Sequence, residues 1–288
     1  MLKKYYTTAL LFVLVLGFSS CASKFVKLQK TGTEAQKFEA ATDYFAKKDY
    51  YRAGLLFDEL IPIMKGDTAA ERAQMLNAYC QFYEKQYQTS GYKFKTFYEV
   101  YNRSPFAEEA FYMYAYSLYK DSPIFNLDQT STLTAITAMQ TFINEYPSSK
   151  YVEQASTNII EMRQKLEQKA YEKAKLYYET TGVTIANFKA AVIAINNFIK
   201  DFPDSNYIEE LLFLKVKSEY DLAKVSFENK QLERFKEAIV FYEEFIDKYP
   251  KSTYLKQAEK IYDDSQKQII LINKNELEAK KLADSAKN

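Results

Sequence analysis

The residues with the most scope for acid–base chemistry in this chain are pairs of adjacent acids. Four of these pairs are Glu108 and Glu109, Glu209 and Glu210, Glu243 and Glu244, and Asp263 and Asp264. All four pairs stand in amphipathic helical patterns, where adjacent side chains point in different directions. A general acid and base must converge on one substrate, and this pattern gives no sign of such convergence.

Other catalytic groups are scarce. The chain has no histidine, which removes Ser/His and Cys/His nucleophile pairs and histidine-containing metal sites together. The sequence also lacks a glycine-rich phosphate loop and a cluster of cysteines. It therefore predicts a protein that is not an enzyme and that needs no metal and no cofactor.

Cys21 carries the most specific chemical prediction. Lys3 and Lys4 precede an apolar run from Ala9 to Phe18, and two serines come directly before the cysteine. This is the layout of a bacterial export signal, with an apolar run too short for a membrane span. The small residues before Cys21 resemble a lipobox, although Phe18 stands where leucine is usual.

A lipobox implies a signal peptide and a lipid-modified Cys21, with diacylglycerol on its thiol and an acyl chain such as palmitate on its new amino group. Several acyl chains give stable membrane anchoring. No acidic residue follows the cysteine in Ala22-Ser23-Lys24, which favours the periplasmic face of an outer membrane. The alternative is ordinary secretion with a free Cys21.

Composition limits the remaining classes of function. The 288 residues include 39 basic and 38 acidic side chains, so the basic excess of a nucleic-acid-binding protein is missing. Only six glycines and six prolines are present, while tyrosine and phenylalanine number 26 and 21. After lipidation only Cys80 remains as a thiol, and its apolar helical context predicts a buried small hydrophobe.

A short phrase recurs along the chain. Its copies are Tyr146-Pro147-Ser148-Ser149-Lys150-Tyr151, Phe202-Pro203-Asp204-Ser205-Asn206-Tyr207, Tyr249-Pro250-Lys251-Ser252-Thr253-Tyr254 and a degenerate Tyr101-Asn102-Arg103-Ser104-Pro105-Phe106. Proline cannot continue a helix, and we expect the serine to be the N-cap of the next helix. Repeats of this length predict stacked helical hairpins, which usually present surfaces to partners.

The predicted fold class is therefore all-α, a tetratricopeptide-like α-solenoid of about five helical hairpins plus a C-terminal capping helix. Apolar periodicity and helix stops place the first helix at about 34–47. The chain is expected to turn at 49–50, and apolar residues at 53, 56, 57 and 60 mark the second helix. The later helices fall at about 68–87 and 92–101, 105–120 and 129–146, 149–179 and 185–202, 205–229 and 232–249, and 253–282.

The whole pattern resembles the BamD family, lipoproteins of the complex that assembles outer-membrane β-barrels. The resemblance covers about residues 34–265. It is carried by the segments 45–53, 110–119, 122–130 and 173–178, followed by Gly182 and 188–191. An arginine expected in the second helix of the fourth repeat is replaced by Ala194, so that contact is not carried over.

The resemblance implies a scaffold that aids the folding and insertion of outer-membrane proteins. Its implied partners are a BamA-like barrel subunit, other assembly lipoproteins, and the aromatic-ended last strand of unfolded barrel proteins. Aromatic surface with a few cations suits such a strand. The residues predicted to line the peptide groove are Arg52, Tyr79, Phe82, Tyr83, Tyr112 and Tyr116.

Two other readings use the same repeats. The first is a periplasmic lipoprotein adaptor for envelope division or pilus assembly. The second is a nutrient-binding lipoprotein, against which the absence of tryptophan counts.

The predicted domains follow from these features. They are a signal peptide at 1–20, a lipidated tether at 21–33, repeats one to three with the groove at 34–147, repeats four and five with the capping helix as a partner scaffold at 148–282, and a disordered tail at 283–288.

Overall fold

A computed structural model describes residues 24–64, 68–182 and 184–285, and the regular elements within these ranges are all helical. The predicted Cys21 site and signal peptide lie outside the described residues. The helices are α1 (Glu34–Ala46), α2 (Tyr50–Leu60), α3 (Thr68–Tyr83), α4 (Tyr87–Val100), α5 (Ala107–Asp121), α6 (Thr130–Glu145), α7 (Val152–Glu179), α8 (Ala186–Asp201), α9 (Ile208–Lys224), α10 (Glu228–Lys248) and α11 (Leu255–Ser285).

The helices form two compact units, and the boundary between Met162 and Arg163 falls inside α7. In the first unit consecutive helices pack as hairpins, and Phe57, Phe94 and Phe142 are completely buried between them. The second unit packs α8 to α11 with the second half of α7 around a core that includes Phe198. The predicted all-α, tetratricopeptide-like fold is confirmed.

The turn after α3 lies earlier than the sequence suggested. We expected the chain to turn at 88–91, yet Ser90 and Gly91 lie inside α4 and are buried. The turn is made instead by Lys85, which takes a positive φ of 60°. Gly91 lies next to α5, where a Cβ would be in ordinary contact, 3.5 Å, with the Cβ of Ser117. The Ser90 and Ser117 hydroxyls are joined at 2.7 Å.

The turn between α9 and α10 is also displaced. It was expected at 230–231 and lies at 225–227. The Ser226 carbonyl accepts a hydrogen bond of 3.0 Å from the Gln231 side chain, and its hydroxyl bonds to the Leu222 carbonyl. Side chains in the turn and just after it thus satisfy one carbonyl at the end of α9 and one in the turn itself.

The recurring phrase makes the same turn each time. Its first aromatic is the C-cap of the preceding helix, with φ between −116° and −134° at Tyr101, Tyr146, Phe202 and Tyr249. Each has a ψ between 47° and 65°, outside the helical region, and at Tyr146, Phe202 and Tyr249 the proline that follows also disfavours a helical conformation. The serine N–H then donates to the carbonyl of that aromatic, at 3.0 Å for Ser149.

The N-cap prediction for the serine is wrong in position. The N-cap before α9 is Tyr207, and Ser205 stands two residues ahead of it. Its hydroxyl oxygen accepts a hydrogen bond of 3.1 Å from the backbone N–H of Tyr207. The serine therefore stabilises the turn that delivers the chain into the helix, a role common to serine in local turns.

The aromatic that closes each full copy packs on the previous repeat. Tyr151 stacks on Tyr112 with ring centroids 4.3 Å apart, and Tyr207 stacks on Tyr171 at 4.1 Å. Tyr254 lies 4.8 Å from Phe213 in the same way. Each phrase therefore ends one helix, turns the chain and fastens the next helix to the one before.

Residues 24–31, which the sequence assigned to the tether, are helical. Phe25 is only 8% exposed and belongs to the core formed with α1, α2 and α3. Its ring meets that of Tyr44 edge-on at 5.8 Å. This part of the predicted tether is thus packed on the first hairpin.

Candidate functional site

The most distinctive surface of the first unit is a chain of aromatic rings along α3 and α5, which we call the aromatic ladder. Its members are Phe45, Tyr50, Tyr79, Phe82, Tyr83, Tyr112, Tyr116 and Tyr151. Five of the six residues predicted to line a peptide groove are among them.

The ladder begins where α1 and α2 meet α3. Tyr83, in the last turn of α3, stacks on Tyr50 with ring centroids 4.6 Å apart. It also stacks on Tyr79, one helical turn earlier, at 5.9 Å. The spacing of four residues places Tyr79 and Tyr83 on one side of α3.

The ladder continues from α3 onto α5. Phe82 meets Tyr83 edge-on at 5.8 Å and stacks on Tyr116 at 5.6 Å. Tyr116 and Tyr112 are stacked at 5.6 Å, and Tyr112 leads on to Tyr151. Each of these contacts lies within the range of favourable aromatic pairs.

Exposure separates the members that face solvent from those that support them. Tyr83 is 48% exposed, whereas Tyr112 is 6% exposed. Burial raises the pKa of Tyr112 to about 12. Phe82 and Tyr116 lie between these limits. A docking ligand would therefore meet Tyr83, Phe82 and Tyr116, with Tyr112 beneath them.

Tyr79 has a structural hydrogen bond. Its hydroxyl donates to the Glu109 carboxylate of α5. Burial is the main cause that raises the pKa of the Tyr79 phenol, and this hydrogen bond raises it further. Tyr79 therefore fixes α3 against α5 while its ring continues the ladder.

Arg52 does not join the ladder. Its guanidinium forms an ion pair of 3.0 Å with Asp49 and lies 5.7 Å from the ring centres of both Phe25 and Tyr44. These contacts fasten residues 24–31 to the first hairpin. The structure thus places Arg52 against residues 24–31, apart from the aromatic ladder that contains the other five predicted residues.

Sequence reasoning missed three members of the ladder, Phe45, Tyr50 and Tyr151. Phe45 and Tyr50 flank the turn at Lys48, whose φ of 62° is left-handed. Tyr151 closes a copy of the recurring phrase. The sequence could have indicated these residues, because aromatic residues at turns and repeat boundaries lie where neighbouring helices come together.

The acid pairs serve as acceptors between repeats. Glu108 accepts a hydrogen bond from the Ser149 hydroxyl, and Glu109 accepts one from the Tyr79 hydroxyl. Glu209 accepts from Ser252 at 2.6 Å. In the same manner Glu210 accepts from Tyr171 and Asp264 from Tyr220, whereas Glu244 accepts from Lys215 within the fifth hairpin. Hydrogen bonds between consecutive repeats thus give these acids and Tyr79, Tyr171 and Tyr220 a structural role.

Cys80 is completely buried, as its context predicted. Burial raises the pKa of its thiol to about 12. Within the described part of the chain, no group of three or more acids and cysteines is placed to hold a metal ion.

The position of the missing arginine lies in the second unit. Ala194 is half-buried in α8. With Lys173, Tyr177 and Phe198 among its neighbours, it lines a groove of about 380 Å³ between α7 and α8. The groove offers a small side chain where the resemblance led us to expect a cation.

A family model matches most of this sequence. The model of a family described as outer membrane lipoprotein, YfiO, matches residues 30–187 and 183–277. No curated protein matches the sequence. Among solved structures, a chain from computationally designed, self-assembling cyclic homo-oligomers is 15% identical and covers 89% of this chain and 93% of its own, at a TM-score of 0.19. A TM-score this low does not indicate a shared fold.

Within the described ranges, none of the helices has the length and apolar character needed to cross a membrane. The family match spans most of the sequence, including all five helical hairpins. The chain belongs to the YfiO family of outer membrane lipoproteins, the BamD family that its repeats resemble.

Proposed function

We propose that this protein is a non-catalytic scaffold and recognition subunit of the machinery that assembles outer-membrane β-barrels. In this proposal acyl chains on Cys21 hold it on the periplasmic side of the outer membrane. The first unit receives the aromatic-ended last strand of an unfolded barrel protein. The second unit holds the periplasmic part of a BamA-like barrel subunit, and other assembly lipoproteins join the complex.

The aromatic ladder is the observation that carries this proposal. Its solvent-facing members, Tyr83, Phe82 and Tyr116, present ring faces to apolar side chains, and the two tyrosines present hydroxyls to polar groups. The hydroxyls of Tyr83 and Tyr116 have no hydrogen-bond partner among the described residues. They are therefore available to the main chain of an extended peptide, whose carbonyls and N–H groups need partners.

The non-catalytic role is supported by how the acids are used. The acid pairs accept hydrogen bonds that hold consecutive repeats together, as Glu209 does from Ser252. Carboxylates committed to such bonds stabilise the repeat stack. Because a scaffold must present a fixed surface, this use of acids agrees with recognition by stacked repeats.

Peptide binding tests the ladder directly. The probe is a labelled peptide in which apolar residues alternate with polar ones. It ends in phenylalanine with a free carboxylate. We expect Tyr83→Ala to weaken its binding about three- to tenfold, since an aromatic contact contributes about 0.5–1.5 kcal/mol beyond its buried area. Tyr92→Ala is the matched control, because Tyr92 is 71% exposed and lies outside the ladder.

Two results would contradict the ladder assignment. One is equal binding by Tyr83→Ala and the parent protein. The other is an equal loss in Tyr83→Ala and Tyr92→Ala, which would indicate non-specific contact. A peptide with serine in place of the final phenylalanine shows whether the aromatic end is the feature recognised.

The assembly partner requires a separate measurement. A tagged protein is purified from gently solubilised outer membrane, and its partners are identified by mass spectrometry. We expect a large barrel protein with periplasmic domains in near-equal amount. Recovery of division or pilus proteins in its place would overturn the assembly role and favour the adaptor reading.

A further inference from the structure

The helical residues 24–31, which we call the anchor helix, begin three residues after Cys21. Three residues span at most about 11 Å, whatever their conformation. The inference below rests on the lipid anchor included in the proposed function. If Cys21 carries acyl chains, the start of the anchor helix is held within that distance of the membrane surface.

The anchor helix is fixed to the repeats. Phe25 is 8% exposed among α1, α2 and α3, and the Arg52 guanidinium lies 5.7 Å from its ring centre. The Gln29 side-chain amide donates to Glu59 of α2 at 2.6 Å. Contacts at both ends of the helix therefore transmit its position to the first hairpin.

The junction between the anchor helix and α1 is also constrained. The Gly32 N–H donates to the Leu28 carbonyl at 2.8 Å. A Cβ at Gly32 would lie only 2.5 Å from the same oxygen. The next residue, Thr33, caps α1 by accepting from the Gln36 N–H. The chain thus passes from one helix to the next through a tight connection.

The outer side of the anchor helix is basic. Lys24, Lys27 and Lys30 are exposed, and none forms an ion pair within the described residues. At 3.6 residues per turn, these lysines lie on the side opposite Phe25 and Gln29. An amphipathic helix with a basic outer face, placed at a lipid anchor, matches the chemistry of an anionic surface.

We propose that the anchor helix binds anionic phospholipid headgroups through Lys24, Lys27 and Lys30 and so seats the first hairpin against the membrane. The lipid anchor brings these lysines to the surface, and their ammonium groups contact lipid phosphates. The aromatic ladder, which starts at the first hairpin, then has a set place relative to the bilayer.

Acids near the helix set a limit on this contact. A groove of about 530 Å³ between the anchor helix and α1 is lined by Lys24 and Lys27 on one side and by Glu39 and Asp43 on the other. Asp43 is paired with Lys47 at 2.6 Å, while Glu39 is exposed. Glu39 is therefore the acid that competes with lipid phosphate for Lys24 and Lys27, whereas Lys30 lies outside this groove.

The test uses the full lipidated protein in vesicles. Ala35 is exposed at the start of α1, so Ala35→Cys gives a labelling site, and the buried Cys80 can stay in place. A dye on this cysteine reports energy transfer to an acceptor lipid. One set of vesicles combines phosphatidylethanolamine and phosphatidylglycerol, and the other is phosphatidylcholine alone.

We expect stronger energy transfer in the anionic vesicles, with the difference lost at high salt. The triple variant Lys24→Gln, Lys27→Gln, Lys30→Gln should lose the difference as well. Each lysine near an anionic surface shifts the equilibrium toward the bound, seated state about fivefold, so three lysines together favour that state on the order of 100-fold. Three exposed lysines of the second unit make a matched control when replaced together: Lys236→Gln, Lys256→Gln and Lys260→Gln.

The outcomes separate this inference from the proposed function. Equal transfer in both lipids, or a lipid effect that survives the triple variant, overturns headgroup binding while the anchor stands. A mature protein without acyl mass on Cys21 overturns the anchor and the seating together. Peptide binding to the aromatic ladder is independent of each of these results.

Discussion

Replacing the motif serines Ser252 and Ser205 by alanine should cost the second unit different amounts of stability. Both hydroxyl oxygens accept a backbone N–H two residues on, each at 3.1 Å. Ser252 also donates to the Glu209 carboxylate at 2.6 Å. Within the described residues Ser205 makes no such bond, although Glu167 stands at the corresponding position of α7.

The magnitudes follow from the number and kind of bonds lost. A neutral hydrogen bond contributes about 1 kcal/mol, and one to a charged group contributes about 1.5–3 kcal/mol. Ser205→Ala should therefore lower the free energy of unfolding by about 1 kcal/mol. Ser252→Ala should lower it by about 2–3 kcal/mol, because its second bond is charged and only half-buried.

Two measurements on the mature chain compare the variants. Urea denaturation followed by helical circular dichroism gives the loss of stability. Hydrogen exchange over 202–208 and 249–255 shows whether the loss is local to each turn. Pairing Ser252→Ala with Glu209→Ala in a double-mutant cycle isolates the bond itself, for which we expect a coupling of about 1–2 kcal/mol.

Equal losses for Ser252→Ala and Ser205→Ala, within about 0.3 kcal/mol, would refute this reasoning. So would a double-mutant cycle without coupling, since the charged bond would then add nothing to the turn.

Three further predictions test the packing. Gly91→Ala should stabilise the protein by about 0.5–1 kcal/mol in thermal unfolding, because alanine favours the helix and its Cβ would lie an ordinary 3.5 Å from that of Ser117. Burial raises the pKa of the Glu219 carboxyl, although Arg234 opposes this, so its ionised form destabilises the fold at neutral pH. Glu219→Gln should therefore be more stable than the parent protein at pH 7, and the difference should shrink as the pH falls toward the ordinary range of glutamate; a difference independent of pH would contradict this. Since burial raises the pKa of the Cys80 thiol to about 12, the native protein should resist iodoacetamide at pH 8 and react once unfolded, as followed by mass spectrometry.

Local chemistry explains why so much of the fold could be predicted from sequence. Pro147, Pro203 and Pro250 each end a helix, because proline lacks an N–H and restricts the residue before it. The serine that follows organises the turn through its own neighbours. Such effects act over a few residues, so the helical hairpins and the buried Cys80 were predictable.

The misplaced turns were decided at longer range. Gly91 suggested a turn because glycine is flexible, yet it is buried inside α4, where it packs against Ser117 of α5. Only the fold reveals that contact, which joins residues far apart in sequence. Lys85 takes the left-handed conformation in place of the glycine, a choice that local propensity disfavours.

The candidate site also combines features that the local sequence predicts with features that only the fold decides. Sequence by itself determined that the hairpins repeat and that the tyrosines exceed what one core can bury, and it predicted a lipobox at Cys21. Tertiary structure alone decided that Tyr50, Tyr83, Phe82 and Tyr116 form one connected row, while Arg52 packs beneath the anchor helix. The physical reason is that helix periodicity fixes which side of a helix a residue occupies, whereas ring stacking depends on how neighbouring helices are placed.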